Sequence, residues 1–390
     1  MFEYELLQLE HKHLRRRLLR VDSAQGPWAT VGGRKVLLMC SNDYLGLASH
    51  PELKEAACVA MEQYGFGSGA SRLVSGNSAL HEELEERLAS FKGAESAILF
   101  NSGYAANAGI IPAVAGETDA VFSDSLNHAS IIDGCRLSRA SVHVFRHKDV
   151  NHLESLLRKS DAVRRRLIVT DGVFSMDGDI APLPELVSLA EKYEAMVMVD
   201  DAHATGVLGK NGRGTAEHFG LQGRVHIQMG TLGKAFGSFG AYAAGDRNLI
   251  EYLVNTSRSF LFSTALPPAV CAASLSAINI VESQPGLMMK LWKNRSRLID
   301  GLKALGISTG RSETPIIPVI IGDNDKALKA SARILDEGLF APAIRPPTVP
   351  VGTARIRTTV TAAHSDNDID RALEIFGTMK EEGFFSNERT

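Results

Sequence analysis

The sequence predicts an α/β fold, with a large, mainly parallel sheet domain followed by a smaller α+β domain. Three observations carry that expectation. From Ala97 onward, short apolar runs (SAILF, AVFSD, SVHVF, RLIVTD, MVMVD) alternate with helical patterns, the rhythm of a doubly wound sheet. Two apolar runs end in residues that bear chemistry: Met196–Asp200 in the acids Asp200 and Asp201, and 225–229 in a glycine-rich loop holding Lys234. Past Pro267 the alternation stops, and two long helical patterns lead into a mixed tail.

Taken in order, residues 1 to about 20 alternate apolar and charged residues in helical fashion and predict an amphipathic arm. KVLLMC (35–40) reads as a strand, SNDYLGL as a turn, and Pro51 opens a helix to about Tyr64. Gly65, Gly67 and Ala70 formally fit a dinucleotide fingerprint. That motif must join a strand to a helix, and here a helix precedes it and irregular SRLVSGN follows, so a nicotinamide site is rejected. The next helix starts after Ser78, with Glu82 and Glu83 in its first turns. The sheet rhythm then runs through Ala241–Ala244, a strand placed so soon after the lysine loop that an antiparallel course is expected. The tail holds IIPVII, the helix DKALKASARILDEG, FAPAIRPPTVPVGTARIRTTV and a last helix. Expected boundaries are 1–45 for the arm and a small-domain segment, 46–280 for the large domain and 281–390 for the small one.

Bulk properties narrow the function. The 390 residues are 44% hydrophobic and 22% charged, with a formal net charge of −3, which advertises no nucleic-acid partner. Four scattered cysteines form no CxxC pair, so neither a disulfide frame nor a metal site is expected. No apolar run reaches the length of a membrane span, and the charged amino terminus lacks the apolar core of a signal peptide. A cytoplasmic enzyme is the expectation.

An acid and a lysine delivered to the carboxyl ends of buried strands fit the chemistry of pyridoxal 5'-phosphate (PLP). A lysine forms the Schiff base, and an acid keeps the pyridine nitrogen protonated. Lys234 lies in the apolar, glycine-rich stretch Gly233–Gly240, which reads as buried packing and not as solvated surface. Asn101–Tyr104, between a strand and a helix, is either a plain turn or, with Thr231, a phosphate cradle. His128 is either a helix-start residue or a ring-stacking one. His203, three residues past Asp200, is placed to meet the cofactor's phenolic oxygen. Arg357, on a strand of the small domain, is either a surface charge or a fork for a carboxylate.

The motifs SNDYLGL, GSGASRLVSGNSALH, FNSGYAAN, DSLNHAS, TDGVFSMDGDIAPL, VDDAHATGVLG, GTLGKAFG and FSTALPP, in this order, resemble the α-oxoamine synthases. These are PLP-dependent transferases of fold type I that condense an amino acid with an acyl thioester. The resemblance spans residues 10 to 375. It implies Lys234 as the Schiff-base lysine, Asp200 on the pyridinium, His203 on the phenolic oxygen and His128 on the ring face. Ser102, Gly103, Tyr104 and Thr231 would hold the phosphate, Ser175 would lie near the cofactor, and Thr264 would reach the phosphate of a second subunit in a homodimer. Arg357 and Asn42 would grip the amino-acid carboxylate.

IRPPTVPVGTARIR resembles the branch of the family that joins L-alanine to pimeloyl-CoA, or to a pimeloyl-carrier-protein, in biotin formation, giving 8-amino-7-oxononanoate, CO2 and the thiol. Arg15, Arg345, Thr348 and Ser71 match positions lining that branch's site. The alternative branch, glycine C-acetyltransferase, departs from SRLVSGN. Two positions depart from the family pattern: Ala70 where glycine is common, and Asp171 where some members carry glutamate. A non-catalytic partner chain would lack the lysine, and the intact GTLGK argues against one.

Overall fold

A computed structural model describes residues 2–160 and 163–385; the last five residues of the expected 281–390 domain lie outside them. The chain divides into two compact units. One comprises Met1–Gly46, Ser175–Asp179 and Met289–Thr390, the other Leu47–Phe174 and Ile180–Met288.

The second unit holds a seven-stranded sheet in the order Ser96–Phe100, Ala241–Gly245, Ile227–Thr231, Ala195–Asp200, Arg166–Asp171, Ala120–Asp124, Ser141–Phe145. Ala241–Gly245 runs antiparallel to both neighbours, as its short link to the lysine loop predicts, and the other pairings are parallel. Successive strand residues feed opposite faces. Leu167, Val169 and Met198 join a core with helix Gly103–Val114, whereas Ile168, Val197 and Val199 join another with helices Val150–Arg158 and Leu183–Lys192. Both faces are covered along the inner strands, which therefore read as unbroken apolar runs, whereas the edge strand Ser141–Phe145 is largely exposed. The strand expected at 225–229 is found at Ile227–Thr231. His226 still donates its N–H to the Val197 carbonyl, but the ladder proper starts one residue later and carries Thr231 to the strand's end.

The first unit contains two three-stranded sheets. Trp28–Val31, Arg34–Leu38 and Leu339–Phe340 form one, Ile316–Gly322, Ala354–Thr359 and Ala343–Ile344 the other. The arm is shorter than the alternation predicts: its helix covers Glu3–His11 and buries no residue. It stops where His13 takes a left-handed backbone and the like charges of Arg15–Arg17 follow. The 35–40 strand ends at Leu38 and is preceded by Trp28–Val31, which the sequence reading missed. Ser175–Asp179, expected in the large domain, groups with the first unit because arginines of the Ala354–Thr359 strand bind its backbone. Helices Pro51–Tyr64, Pro268–Ser283, Gly286–Ala304, Asn324–Asp336 and Asp366–Glu381 lie where their patterns predict. Among the described residues no helix is long and apolar enough to cross a membrane.

Candidate active site

Parallel strands of the second unit deliver their carboxyl ends to one edge, and the sequence-predicted cofactor residues of that unit gather there. Asp200 ends its strand only 3% exposed. Its Oδ2 accepts from Asn107 Nδ2 at 2.8 Å and its Oδ1 from the Ala202 N–H at 2.9 Å. Burial raises its pKa, against the opposing pull of Lys234's charge. Asp171 sits beside it in the ladder and is pushed up further, by burial and then by the charge of Asp200. Asp171 accepts the His128 backbone N–H at 2.7 Å, which fixes the start of helix Ala129–Ser138.

Lys234 and His203 meet, with Nζ 2.9 Å from Nε2. The expected burial of Gly233–Gly240 holds only in part. Ala235 and Phe236 are in the core, but Gly233 and Phe239 are exposed and Lys234 is half-buried, since a loop capping a sheet edge has one face outward. Gly237 anchors this loop. Its φ is +62°, and a Cβ there would lie 2.3 Å from the Ala48 nitrogen, so no other residue fits without displacement.

Ser102 caps helix Gly103–Val114, its Oγ accepting the Ala105 N–H at 3.1 Å. Thr231 packs against this terminus, close enough that a Cβ on Gly103 would sit 2.8 Å from its methyl. Thr231 Oγ1 is buried without a hydrogen-bond partner among the described residues. An orphaned hydroxyl beside the first N–H groups of a twelve-residue helix is an arrangement that a phosphate satisfies. Tyr104 is exposed, its hydroxyl bonded to Asp133. The lysine, the strand-end acid and this cradle together fit PLP.

Thr264 pairs with Ser71 as an isolated antiparallel bridge, and Asn101 donates to the Thr264 carbonyl at 2.9 Å. Arg72 secures this loop through two 2.8 Å bonds to Glu85. Within the first unit, Arg357 is 6% exposed, donates Nε to the Ser175 carbonyl at 2.6 Å and Nη2 to Asn42 Oδ1 at 3.2 Å. No carboxylate pairs with it among the described residues, whereas Arg355, two residues earlier, pairs with Asp177 at 2.5 Å. Arg345 bonds the His13 carbonyl, but Arg15 does not join it: Arg15 pairs with Glu10 at 3.1 Å, and Arg16 is the residue that reaches Thr348, at 3.4 Å. Both arginines are exposed.

Sequence reasoning missed Asn107, which orients Asp200, and Lys92, which binds Asp201. Asn107 lies one turn into its helix on the sheet-facing side, a polar residue in an apolar helix, and that mismatch was the available signal. Lys92 Nζ lies 2.9 Å from Asp201 Oδ2, with neither side chain exposed.

The family described as aminotransferase class I and II matches residues 34–376. The 8-amino-7-oxononanoate synthase of Symbiobacterium thermophilum is 54% identical over 97% of both chains. Among solved structures, a serine palmitoyltransferase variant from S. paucimobilis with a bound PLP–myriocin aldimine superimposes with a TM-score of 0.93 at 33% identity, covering 98% of both chains. The 8-amino-7-oxononanoate synthase of Francisella tularensis has a TM-score of 0.78 at 28% identity, covering 90% of this chain and 99% of that one. Fold and site thus define a PLP-dependent transferase of fold type I. Within that class, the chain belongs to the aminotransferase class I and II family as an α-oxoamine synthase.

Proposed function

We propose that this chain condenses L-alanine with a pimeloyl thioester, on CoA or a carrier protein, to 8-amino-7-oxononanoate, CO2 and free thiol, a step of biotin formation. The observation that carries the chemistry is the strand-end constellation of buried Asp200 with Lys234 and His203 2.9 Å apart. The substrate pair rests on full-length relatives of that name.

When bound, PLP supplies a carbonyl that captures the amino group and a ring that accepts the electron pair left by a departing proton or CO2. Asp200 keeps the pyridine nitrogen protonated, and Asn107 keeps Asp200 oriented. Ser102, Gly103, Tyr104 and Thr231 hold the phosphate. Lys234 takes the proton from alanine's α-carbon and later returns one, with His203 at its amine. The α-carbon then bonds to the thioester carbonyl, the C–S bond breaks, and the thiolate leaves with a proton. Loss of CO2 from the resulting β-keto acid and reprotonation complete the balance.

Arg357 supplies the fork for the alanine carboxylate; a buried guanidinium with only neutral partners supports that role. Asn42 and Ser175 hold that fork in place. Ser71 leaves room for alanine's methyl group, and Arg15, Arg345 and Thr348 serve the thioester. The protein acts as a cytoplasmic homodimer, with Thr264 serving the partner's phosphate site.

Thiol release from L-alanine, glycine or L-serine, each paired with pimeloyl-, acetyl-, succinyl- and palmitoyl-CoA, tests the reading. Preference for alanine with pimeloyl-CoA is expected. Preference for glycine with acetyl-CoA would replace it with glycine C-acetyltransferase.

A further inference from the structure

We infer that Asn107 and Ser130 are positioning residues that link Asp200 to His128 by hydrogen bonds and hold its imidazole as the tautomer protonated on Nε2. The inference rests on the PLP reading of Asp200 and His128 and deepens it.

The direction of each hydrogen bond follows from donor and acceptor counts. An ionised carboxylate accepts only, so Asn107 must turn its NH2 edge toward Asp200 Oδ2, 2.8 Å away. The same Nδ2 lies 2.9 Å from Ser130 Oγ, and its second hydrogen is donated there. Ser130 has one hydroxyl proton, and the remaining close partner is His128 Nδ1 at 2.7 Å. The Ser130 backbone N–H reaches the same ring nitrogen at 3.3 Å. A nitrogen that receives two donors carries no proton, so a neutral ring carries its proton on Nε2.

The surroundings favour the neutral ring. Burial lowers the His128 pKa, the charge of Asp200 opposes this, and the charge of Lys234 adds to it. The other acid at this point, Asp171, accepts the His128 backbone N–H through Oδ2. Among the described residues no protein group accepts the Nε2 proton, which leaves it for a ligand.

Packing makes the chain of bonds possible. Helix Ala129–Ser138 lies against helix Gly103–Val114 at Gly134, where a Cβ would sit 2.6 Å from the Asn107 carbonyl oxygen. Only that close approach brings Ser130 within reach of the Asn107 amide. The consequence for the reaction is that His128 presents a fixed Nε2–H donor while the lone pair on Nδ1 is engaged, so the ring does not act as a base.

The test is the ring-nitrogen NMR spectrum of His128 in protein labelled with 15N-histidine, recorded with and without PLP and with no substrate present. The expected spectrum of the PLP-loaded protein has Nδ1 unprotonated and Nε2 protonated near neutral pH; a proton on Nδ1 overturns the inference. Ser130→Ala should populate both tautomers and lower kcat about tenfold, the worth of one hydrogen bond, with KM for alanine within about twofold. Ser130→Thr should restore both readouts. A Ser130→Ala protein with a single unchanged tautomer and unchanged kcat also overturns it. Should that variant fail to fold, the wild-type spectrum decides alone. Protein that takes up no PLP sinks the cofactor reading instead, and His128 still reports its tautomer.

Discussion

Asp200 and Asp201 are consecutive and almost wholly buried, yet their surroundings are opposite. Asp201 is electrically closed: Lys92 sits 2.9 Å from its Oδ2, and Thr215 Oγ1 donates to Oδ1 at 2.6 Å. Asp200 accepts its hydrogen bonds only from neutral donors, the Asn107 amide and a backbone N–H, although the charge of Lys234 also acts on it. The first unit repeats the split two residues apart on one strand, with Arg355 closed by Asp177 and Arg357 held by neutral oxygens. A buried charge matched by an opposite charge supports the fold. One matched only by dipoles marks where an oppositely charged ligand belongs.

That contrast breaks down if open charges prove structural or closed ones catalytic. The largest effect is expected at Lys234→Ala: turnover falls by about 10⁴-fold or more, with an unchanged circular dichroism spectrum. Wild-type turnover in that variant would remove the lysine from the chemistry. Opening the closed pair by Lys92→Met leaves Asp201 buried and uncompensated, and should lower unfolding stability by about 3–5 kcal/mol in a urea titration. An unchanged midpoint would show that the pair contributes nothing.

His364 sharpens the comparison as a buried group kept neutral. Burial pushes its pKa down to about 4, and its Nδ1 accepts the Thr361 N–H at 3.0 Å. Unfolded, it titrates near 6.5. Between those values the unfolded chain binds the extra proton, so stability is full above about pH 6.5 and declines as pH falls toward 4. The loss amounts to up to about 3 kcal/mol. Stability against pH should flatten over that window in His364→Asn, and identical slopes would refute the assignment. The smallest effect is at Arg357→Lys, where a point charge replaces a fork. KM for alanine should rise about tenfold while kcat changes less, and an unmoved KM would place the carboxylate elsewhere.

Much of this was legible before any coordinates. The strands are short apolar runs between helical periods, and helices start at Pro51, after Ser78 and after Pro267 for local reasons that tertiary contacts do not override. Lys234, Asp200, His203 and the Ser102–Tyr104 turn were visible because each adjoins a strand end. What stayed hidden depends on contacts distant in sequence. Asn107 owes its role to an acid 93 positions away, and Lys92 to one 109 away. Ser175–Asp179 is assigned by Arg355 and Arg357, about 180 residues downstream. That Arg16 reaches Thr348 while Arg15 pairs with Glu10 was hidden because the helix ends at His11, and no periodicity remains beyond it to order the side chains.

Gly237 has a consequence for stereochemistry. With φ at +62° and the Ala48 nitrogen where a methyl would go, the loop beneath Lys234 is pinned, and the lysine moves only by rotating its own side-chain bonds. A base tethered at a fixed point reaches its substrate from one side. With Lys234 as the proposed base, proton removal and proton return are expected on the same face of the α-carbon, and the Gly237 turn serves that outcome by holding the loop in place.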